Sequence, residues 1–230
     1  MSDAPCGQRD CPIVRPDAID RRSLRVHTLP AGTEQFRASA LRHGTIVFTP
    51  AGMGNGRFSP FPDRGHTYIA EQRSAAILES ALHEADGPNP RIYRITLAAF
   101  GLHRVRFDTP VRLIDLRDPA LADLGIDRSQ LTGALAVHYP CTRAVAERIA
   151  GSKSTAGMVW TSRQGSLHAE RNRDGLAAEV LRHQSLDVAV VYESPFVGDV
   201  SVVDSEPLTV DGDPTRFVLE LANLLRVAIL

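Results

Sequence analysis

The sequence predicts a single α+β domain. The chain has 230 residues, and 43% of them are hydrophobic, which is ample for a buried core. Predicted strands outnumber predicted helices and do not alternate with them regularly, which argues against a doubly wound parallel sheet. No linker rich in Gly or Ser and no internal repeat divides the chain.

Charge and composition exclude several classes of protein. The formal net charge of −1 argues against a protein that binds nucleic acid through bulk electrostatics. Every basic residue except Lys153 is an arginine, so cationic sites must use guanidinium groups, which favour bidentate contacts with phosphate or carboxylate. The N-terminus lacks the apolar region of a signal peptide, and no apolar stretch is long enough to span a bilayer. We therefore expect a cytoplasmic protein that makes no membrane contact.

The first half of the chain begins with a lead-in and continues as the main domain. Residues 1–22 mix Pro, Asp and Arg without periodicity and are expected to form a flexible or loosely docked extension, with the domain covering residues 23–230. Residues 30–43 stay ambiguous. The predicted elements are a strand at Leu24–Thr28, a β-rich run at Gly44–Thr49, a strand at His66–Ala70 and a helix at Arg73–Ala85.

The second half is rich in strands. They are predicted at Arg91–Ala98, Leu102–Phe107, Val111–Leu116, Gly157–Thr161, Asp187–Glu193 and Leu208–Val210. Helices are predicted at Pro119–Leu124, at Tyr139–Ala150, within the polar segment 166–184, and at 214–230 after an Asp213 N-cap. Val218–Leu230 has ten apolar residues in thirteen. It predicts either a helix buried on the sheet or an interface with a second copy or a protein partner.

The cysteines do not predict a metal site. Cys6, Cys11 and Cys141 are an odd number and lack the spacing of a disulfide framework. Cys6 and Cys11 lie close together, but no second pair of cysteines completes a zinc site. The expectation is three free thiols in a reducing compartment and no bound metal.

Familiar cofactor and hydrolase motifs are incomplete. In Gly52-Met-Gly54-Asn-Gly56 the third glycine comes one residue too early for a dinucleotide fingerprint, and the prolines that follow prevent a helix from starting there. Gly151-Ser-Lys153 lacks the earlier glycine of a phosphate-binding P-loop. No H-E-x-x-H or G-x-S-x-G pattern occurs, so neither a zinc protease nor a serine hydrolase is supported.

Four residues form a more informative constellation. Arg57 follows the glycine-rich loop, Tyr68 lies in the next strand, Glu79 in the next helix, and Ser162 after a later strand. Arg57, Tyr68 and Glu79 follow one another at intervals of eleven residues. Taken singly, three of them have ordinary structural explanations: Arg57 as a loop arginine, Tyr68 as a strand aromatic and Glu79 as an exposed helix carboxylate.

Together, these residues and their surroundings resemble the RES domain family. The resemblance rests on segments Gly56–Pro60, His66–Glu71, Ala75–Leu82, Tyr139–Ala146 and Gly157–Arg163. It covers about residues 24–193 and implies an ADP-ribosyltransferase-like fold, with a split mixed β-core and flanking helices. It also implies that NAD⁺ is a substrate rather than a cofactor, and that the protein is a bacterial toxin occluded by an Xre-type antitoxin.

The resemblance further implies roles for single residues. Arg57 would clamp the pyrophosphate, Tyr68 would pack on the nicotinamide or its ribose, and Glu79 would stabilise positive charge at the anomeric carbon. Ser162 would orient Glu79 or bind the ribose. Arg25 matches an upstream arginine of the family less closely, and would contact the phosphates or admit inorganic phosphate.

The acceptor of the ADP-ribosyl group stays open. Phosphorolysis of NAD⁺ is favoured, with hydrolysis and transfer to a protein as alternatives, and an inactive binding module is a hypothesis of a different class. Two segments depart from the family pattern: the long stretch between Arg25 and Arg57, and the polar segment 165–187. Either departure could alter the acceptor site or the surface for an antitoxin or a homodimer.

Overall fold

A computed structural model describes residues 4–43, 47–54, 56–59, 61–82, 91–163 and 185–230. Within these ranges the strands are β1 (Val26–Leu29), β2 (Glu34–Ala40), β3 (His66–Ala70), β4 (Arg91–Ile92), β5 (Phe100–Phe107), β6 (Val111–Asp115), β7 (Gly157–Thr161), β8 (Asp187–Tyr192), β9 (Val200–Pro207), β10 (Thr209–Val210), β11 (Asp213–Pro214) and β12 (Ala228–Ile229). The α-helices are α1 (Arg73–Leu78), α2 (Arg94–Ala98), α3 (Ala120–Asp123), α4 (Tyr139–Ile149) and α5 (Arg216–Leu225).

The main sheet is mixed and split. Its order is β1-β6-β7-β8-β3-β2-β5-β9, with β6 and β7 parallel and the other neighbours antiparallel. Strands β2 and β3 pair only through Phe36 and Ala70, so the sheet opens between its two halves. Two short pairs, β10 with β11 and β4 with β12, complete the described strands. This arrangement confirms the expected α+β domain with a split mixed β-core.

The two faces of the sheet bury separate apolar clusters, because side chains alternate along each strand. In β7, Met158 and Trp160 face the larger cluster, which the helices cover, while Val159 faces the smaller one. Helix α5 packs on the larger cluster through Val218, Leu221, Ala222 and Leu225. The apolar C-terminal segment is thus a core helix on one face. It covers Arg216–Leu225 rather than 214–230, with Thr215 instead of Asp213 as its N-cap. Asp213 and Pro214 pair with β10, and Ala228–Ile229 pairs with β4, so neither end continues the helix.

Several elements differ from the sequence-based expectation. The predicted strand Arg91–Ala98 is a two-residue strand followed by helix α2, and the predicted helix from Arg73 already ends at Leu78. Strands β2 and β9 were not predicted. Of the run at 44–49, Thr49 forms an isolated bridge with His66. Residues 44–46 and the expected polar helix at 166–184 lie outside the described residues.

The lead-in is docked on the domain rather than extended into solvent. Ile13 and Ile19 are buried in the larger cluster, and the Val14 N–H donates to the Gln130 carbonyl at 3.1 Å. Cys6 and Cys11 lie against His138 and Cys141 at the beginning of α4. These contacts dock residues 4–22 on the domain. Apolar burial of this kind offsets the entropy that a free terminus would keep.

Candidate active site

A cleft of about 790 Å³ lies where the ends of α1, β3 and β7 meet the beginning of α4. A volume of this size suits a small-molecule ligand. Its lining includes three of the four residues of the predicted constellation, together with aromatic and cationic groups: Arg57, Tyr68, Glu79, Arg91, Tyr139, Arg143 and Trp160. The fourth residue, Ser162, contacts Glu79 directly.

Glu79 is held at the cleft by a serine from a different part of the chain. It caps the C-terminal end of α1, where its N–H donates to the Ala75 carbonyl at 3.0 Å. The Ser162 hydroxyl donates to Glu79 Oε1 at 2.5 Å. Ser162 is fully buried just after β7, and its own N–H donates to the Leu186 carbonyl at 2.8 Å. A rigid strand end therefore fixes one carboxylate oxygen, and the second oxygen can face a ligand.

Arg57 is buried, with only 6% of its surface exposed, and is oriented by neutral groups. Its Nη1 donates to the carbonyls of Leu131 at 3.3 Å and Ala134 at 3.0 Å. Its guanidinium carbon lies 5.3 Å from the centre of the Tyr139 ring. These acceptors fix the plane of the guanidinium without cancelling its charge, so the cleft wall is positive at this point.

Tyr68 braces the loop that carries Arg57. The Phe58 N–H donates to the Tyr68 hydroxyl at 3.2 Å, and the same hydroxyl lies 3.1 Å from Ser59 Oγ. Burial raises the pKa of Tyr68 to about 12, so the phenol is neutral. A Cβ on Gly56 would lie 2.4 Å from the Tyr68 oxygen, so only glycine fits there. The ring of Tyr68 is available to a ligand, while its hydroxyl shapes the loop.

Trp160 forms the aromatic back wall of the cleft. It is 1% exposed and packs edge-to-face against Phe58 and Tyr68, with ring centres 4.9 and 6.0 Å apart. Its Nε1 has no hydrogen-bond partner among the described residues. An indole N–H is a donor only, so this buried atom is left without an acceptor among the described residues.

The structure does not place Arg25 at the cleft. Arg25 lies just before the edge strand β1 and pairs with Asp123 on the surface, where 57% of its side chain is exposed. The cationic groups that do line the cleft besides Arg57 are Arg91 and Arg143. Arg143 is in the Tyr139–Ala146 segment that carries the family resemblance, so sequence alone could have suggested it. Arg91 could not be predicted as a cleft residue from sequence, because it is positioned by pairing with Ala228 of β12, which is distant along the chain.

The assembled groups can bind an anionic, sugar-containing ligand and stabilise a cation. Guanidinium groups bind phosphate oxygens, aromatic rings stack on a planar base, and a fixed carboxylate stabilises developing positive charge. Such a site suits cleavage of a bond to an anomeric carbon through an oxocarbenium-like state.

One group of metal-ligating side chains stands apart from the cleft. The sulfur atoms of Cys6, Cys11 and Cys141 all lie within 4.8 Å of one another. Burial would raise the pKa of Cys6, but hydrogen bonds, chiefly with His138, lower it to about 6. Burial raises the pKa of Cys141 to about 12. All three thiols are free, as expected, and the fold brings them together. Among the described helices, none has both the length and the apolar character needed to cross a bilayer.

Comparison with known proteins places the chain in a family. No curated protein matches it in sequence. Among solved structures, it is similar to one chain of the crystal structure of the M. tuberculosis MbcT–MbcA toxin–antitoxin complex, with a TM-score of 0.54 and 16% identity. The similarity covers 84% of this chain and 91% of that one, and it shows a shared fold. The model of the RES domain matches residues 24–211, which extends past the segment 24–193 expected from the resemblance. The chain therefore belongs to the RES domain family.

Proposed function

We propose that this protein is a toxin that consumes NAD⁺ by phosphorolysis of the nicotinamide–ribose bond. The observation that carries the proposal is the shared cleft in which Glu79, anchored by Ser162, lies with the buried cation Arg57. In the reaction the bond between the anomeric carbon and the nicotinamide nitrogen breaks, and its electron pair neutralises the pyridinium ring. A phosphate oxygen forms the new bond to that carbon, giving ADP-ribose 1″-phosphate and nicotinamide.

Glu79 supplies the charge that this reaction needs. The transition state carries positive charge on the ribose ring, and a preorganised carboxylate stabilises it more than it stabilises the substrate. The Ser162 bond keeps the carboxylate from reorienting as that charge develops. The aromatic rings of Tyr68, Tyr139 and Trp160 offer surfaces for the nicotinamide and its ribose.

Phosphate is preferred to water as the acceptor because the cleft is rich in guanidinium groups. Arg57, Arg91 and Arg143 all line it. One arginine fork matches two phosphate oxygens, so a single pyrophosphate does not require three such groups. The remaining guanidinium groups could bind a second anion, inorganic phosphate, beside the substrate. With water as the acceptor, only the pyrophosphate of NAD⁺ would need to be neutralised.

The decisive experiment incubates the full-length protein with NAD⁺ in the presence and absence of inorganic phosphate. We expect phosphate-dependent loss of NAD⁺ and formation of ADP-ribose 1″-phosphate. Free ADP-ribose at every phosphate concentration would instead identify a glycohydrolase. Label transferred from NAD⁺ to a protein would identify an ADP-ribosyltransferase.

The Glu79→Gln variant tests the assigned chemistry in the same assay. It keeps the shape and removes the charge, so we expect kcat to fall by at least about 100-fold. If the wild-type protein is folded and leaves NAD⁺ intact, the enzymatic proposal fails. If Glu79→Ala retains full toxicity in cells, the alternative of an inactive binding module takes its place.

A protein partner is proposed on separate grounds. The M. tuberculosis structure with the similar fold is a toxin–antitoxin complex. We propose that an Xre-type antitoxin, with a helix-turn-helix domain, likewise binds this chain. Added to the NAD⁺ assay, the product of an adjacent gene of that type is expected to suppress turnover.

A further inference from the structure

The docked lead-in and the beginning of α4 bring four metal-ligating side chains together. Cys6 and Cys11 come from the lead-in, while His138 and Cys141 flank the first residues of α4. Cys11 and Cys141 are 130 positions apart in sequence, yet their sulfur atoms lie 3.6 Å apart. The pattern is Cys-x₄-Cys followed much later by His-x₂-Cys. The second pair is therefore a histidine and a cysteine, rather than the two cysteines expected of a zinc site.

The distances match the edges of a tetrahedron around one ion. Cys6 Sγ lies 3.6 Å and Cys11 Sγ 3.4 Å from His138 Nδ1. A tetrahedral zinc ion, with bonds of about 2.3 Å to sulfur and about 2.0 Å to nitrogen, sets sulfur–sulfur edges of about 3.8 Å and sulfur–nitrogen edges of about 3.5 Å. The three sulfur atoms lie within 4.8 Å of one another, and His138 Nδ1 contacts two of them. Side-chain shifts that bring His138 toward Cys141 as well would place all four donors around one ion.

We propose that Cys6, Cys11, His138 and Cys141 form a structural zinc site that fastens the lead-in to helix α4. Three thiolates and one imidazole are the soft, mixed donor set that selects zinc among the common divalent ions. Four protein ligands close the coordination sphere, which is typical of structural rather than catalytic zinc. A multinuclear iron–sulfur cluster would hold its ligands farther apart than the 4.8 Å that contains all three sulfurs.

The surroundings of the cluster support ligation. The Cys6 N–H donates to Cys141 Sγ at 3.3 Å, a contact of the kind that outer-shell groups make to metal-bound thiolates. Cys141 is buried, and Cys6, Cys11 and His138 are half-buried, so the site is shielded and still accessible to an entering ion. The two lead-in cysteines alone could not provide a closed site.

The site would also support the cleft. Thr142, directly after the ligand Cys141, donates from Oγ1 to the Arg57 carbonyl at 2.6 Å. Tyr139, directly after the ligand His138, lies beneath the Arg57 guanidinium. An ion at the cluster would fix the first turn of α4 and, through it, one wall of the cleft. The inference stands on the cluster alone and does not depend on the reaction proposed above.

Metal content of the full-length protein tests the inference directly. The protein should be made without an affinity tag and without chelators, in the Glu79→Gln background so that NAD⁺ consumption does not harm the host. Elemental analysis is expected to find close to one zinc per chain. Exchange of zinc for Co²⁺ is expected to give thiolate-to-cobalt charge-transfer absorption and the intense visible bands of tetrahedral cobalt.

Single substitutions locate the ion. Cys11→Ser and His138→Asn are each expected to reduce bound zinc and to weaken the cobalt spectrum. The matched control is His43→Asn, a partly exposed histidine away from the cluster, which should bind zinc like the parent. Chelator treatment should lower the melting temperature of the parent and the control, and should change that of His138→Asn much less.

Three results would overturn the inference. The first is parent protein with no zinc, no cobalt spectrum and three titratable thiols. The second is a thiol count lowered by two, which would mean a disulfide in place of the ion. The third is zinc retained in full by both ligand variants, which would place it elsewhere on the chain.

Discussion

At the scale of single residues, Glu79 occupies a position that helix electrostatics disfavour. It lies at the C-terminal end of α1, where the last carbonyl groups concentrate negative charge and a second negative charge is repelled. The hydrogen bond from Ser162 compensates locally and fixes the carboxylate at the cleft. The negative charge of Glu79 destabilises the end of the helix but provides a fixed carboxylate in the site. Such local destabilisation is common at functional sites.

Replacement of Ser162 by alanine tests this positioning role. Loss of a hydrogen bond to a charged group costs about 1.5–3 kcal/mol, so we expect kcat to fall by about 10- to 100-fold. The KM for NAD⁺ should change little, because the cations and aromatic rings that bind the substrate remain. Steady-state kinetics give both constants. The control is Ser152→Ala, which removes a buried serine that accepts from Arg21 rather than from the site. Equal losses in the two variants would contradict the assignment.

The sequence predicted the placement of most of the site residues but not of all. Arg57, Tyr68, Glu79 and Ser162 come together as the family resemblance implies, while the catalytic roles themselves stay predictions. Arg25 does not join them, because it precedes the edge strand β1 and pairs with Asp123 on the surface. The cluster around Cys141 could not be predicted from local spacing, because its members meet only after the lead-in folds back onto α4.

At the scale of elements, the loop before β3 is fitted to one tyrosine. The Gly56 backbone lies against the Tyr68 hydroxyl, and Ser59 completes the contact. His66, at the beginning of β3, packs beneath the preceding part of the loop, with its ring 3.3 Å from the position of a Cβ on Gly54. These contacts with β3 fix the conformation of the loop, and the loop conformation places Arg57 in the wall of the cleft.

A methyl group at Gly56 should disrupt this fit. In Gly56→Ala, the loop and Tyr68 must move apart, which we expect to cost about 1–3 kcal/mol of unfolding free energy and to raise the KM for NAD⁺. Gly52→Ala is the matched control, since its Cβ would meet no atom within 4 Å. Its left-handed backbone should cost about 1 kcal/mol and leave KM unchanged. Denaturant titrations and kinetics measure both effects, and an unchanged KM in Gly56→Ala would refute the argument.

Strands that are rich in buried residues were predicted well. The elements that were mispredicted have polar residues at buried positions or exposed apolar residues. Strands β3 and β7 have the predicted bounds because they are rich in β-branched and aromatic residues and almost wholly buried. Strand β2 escaped prediction because its buried positions hold Gln35 and Arg37 instead of apolar residues. Helix α2 was taken for a strand because β-branched Ile95 suggests one, yet 81% of Ile95 is exposed and only Leu97 anchors the helix.

At the scale of the whole molecule, the split in the sheet is filled partly by buried polar groups. Arg37 of β2 faces His103 of β5 across the ladder, and the charge of Arg37 also acts on His66 of β3. Burial, together with the Arg37 charge, lowers the pKa of His66 to about 4 and lowers that of His103 as well. Both imidazoles are therefore neutral in the folded protein at neutral pH.

Stability should fall on mild acidification for this reason. In the unfolded chain His66 binds a proton near its ordinary pKa of about 6.5, whereas in the folded chain it does so only near pH 4. Its contribution is complete above about pH 6.5 and is lost as the pH falls toward 4, by roughly 3 kcal/mol in all. Denaturant unfolding between pH 7.5 and pH 4.5 should show a shallower decline for His66→Gln than for the wild type. His43→Gln, on the surface, should follow the wild type, and parallel curves for all three proteins would contradict the prediction.

Trp160 gives the molecule a built-in optical reporter. It is the single tryptophan of the chain, so the entire indole emission originates from the back wall of the cleft. Its environment of Phe58 and Tyr68 is dry and rigid, which favours a blue-shifted spectrum that changes only when something enters the cleft or its walls come apart. Nicotinamide, NAD⁺ and phosphate can therefore be titrated one at a time by fluorescence, without turnover and without any added label.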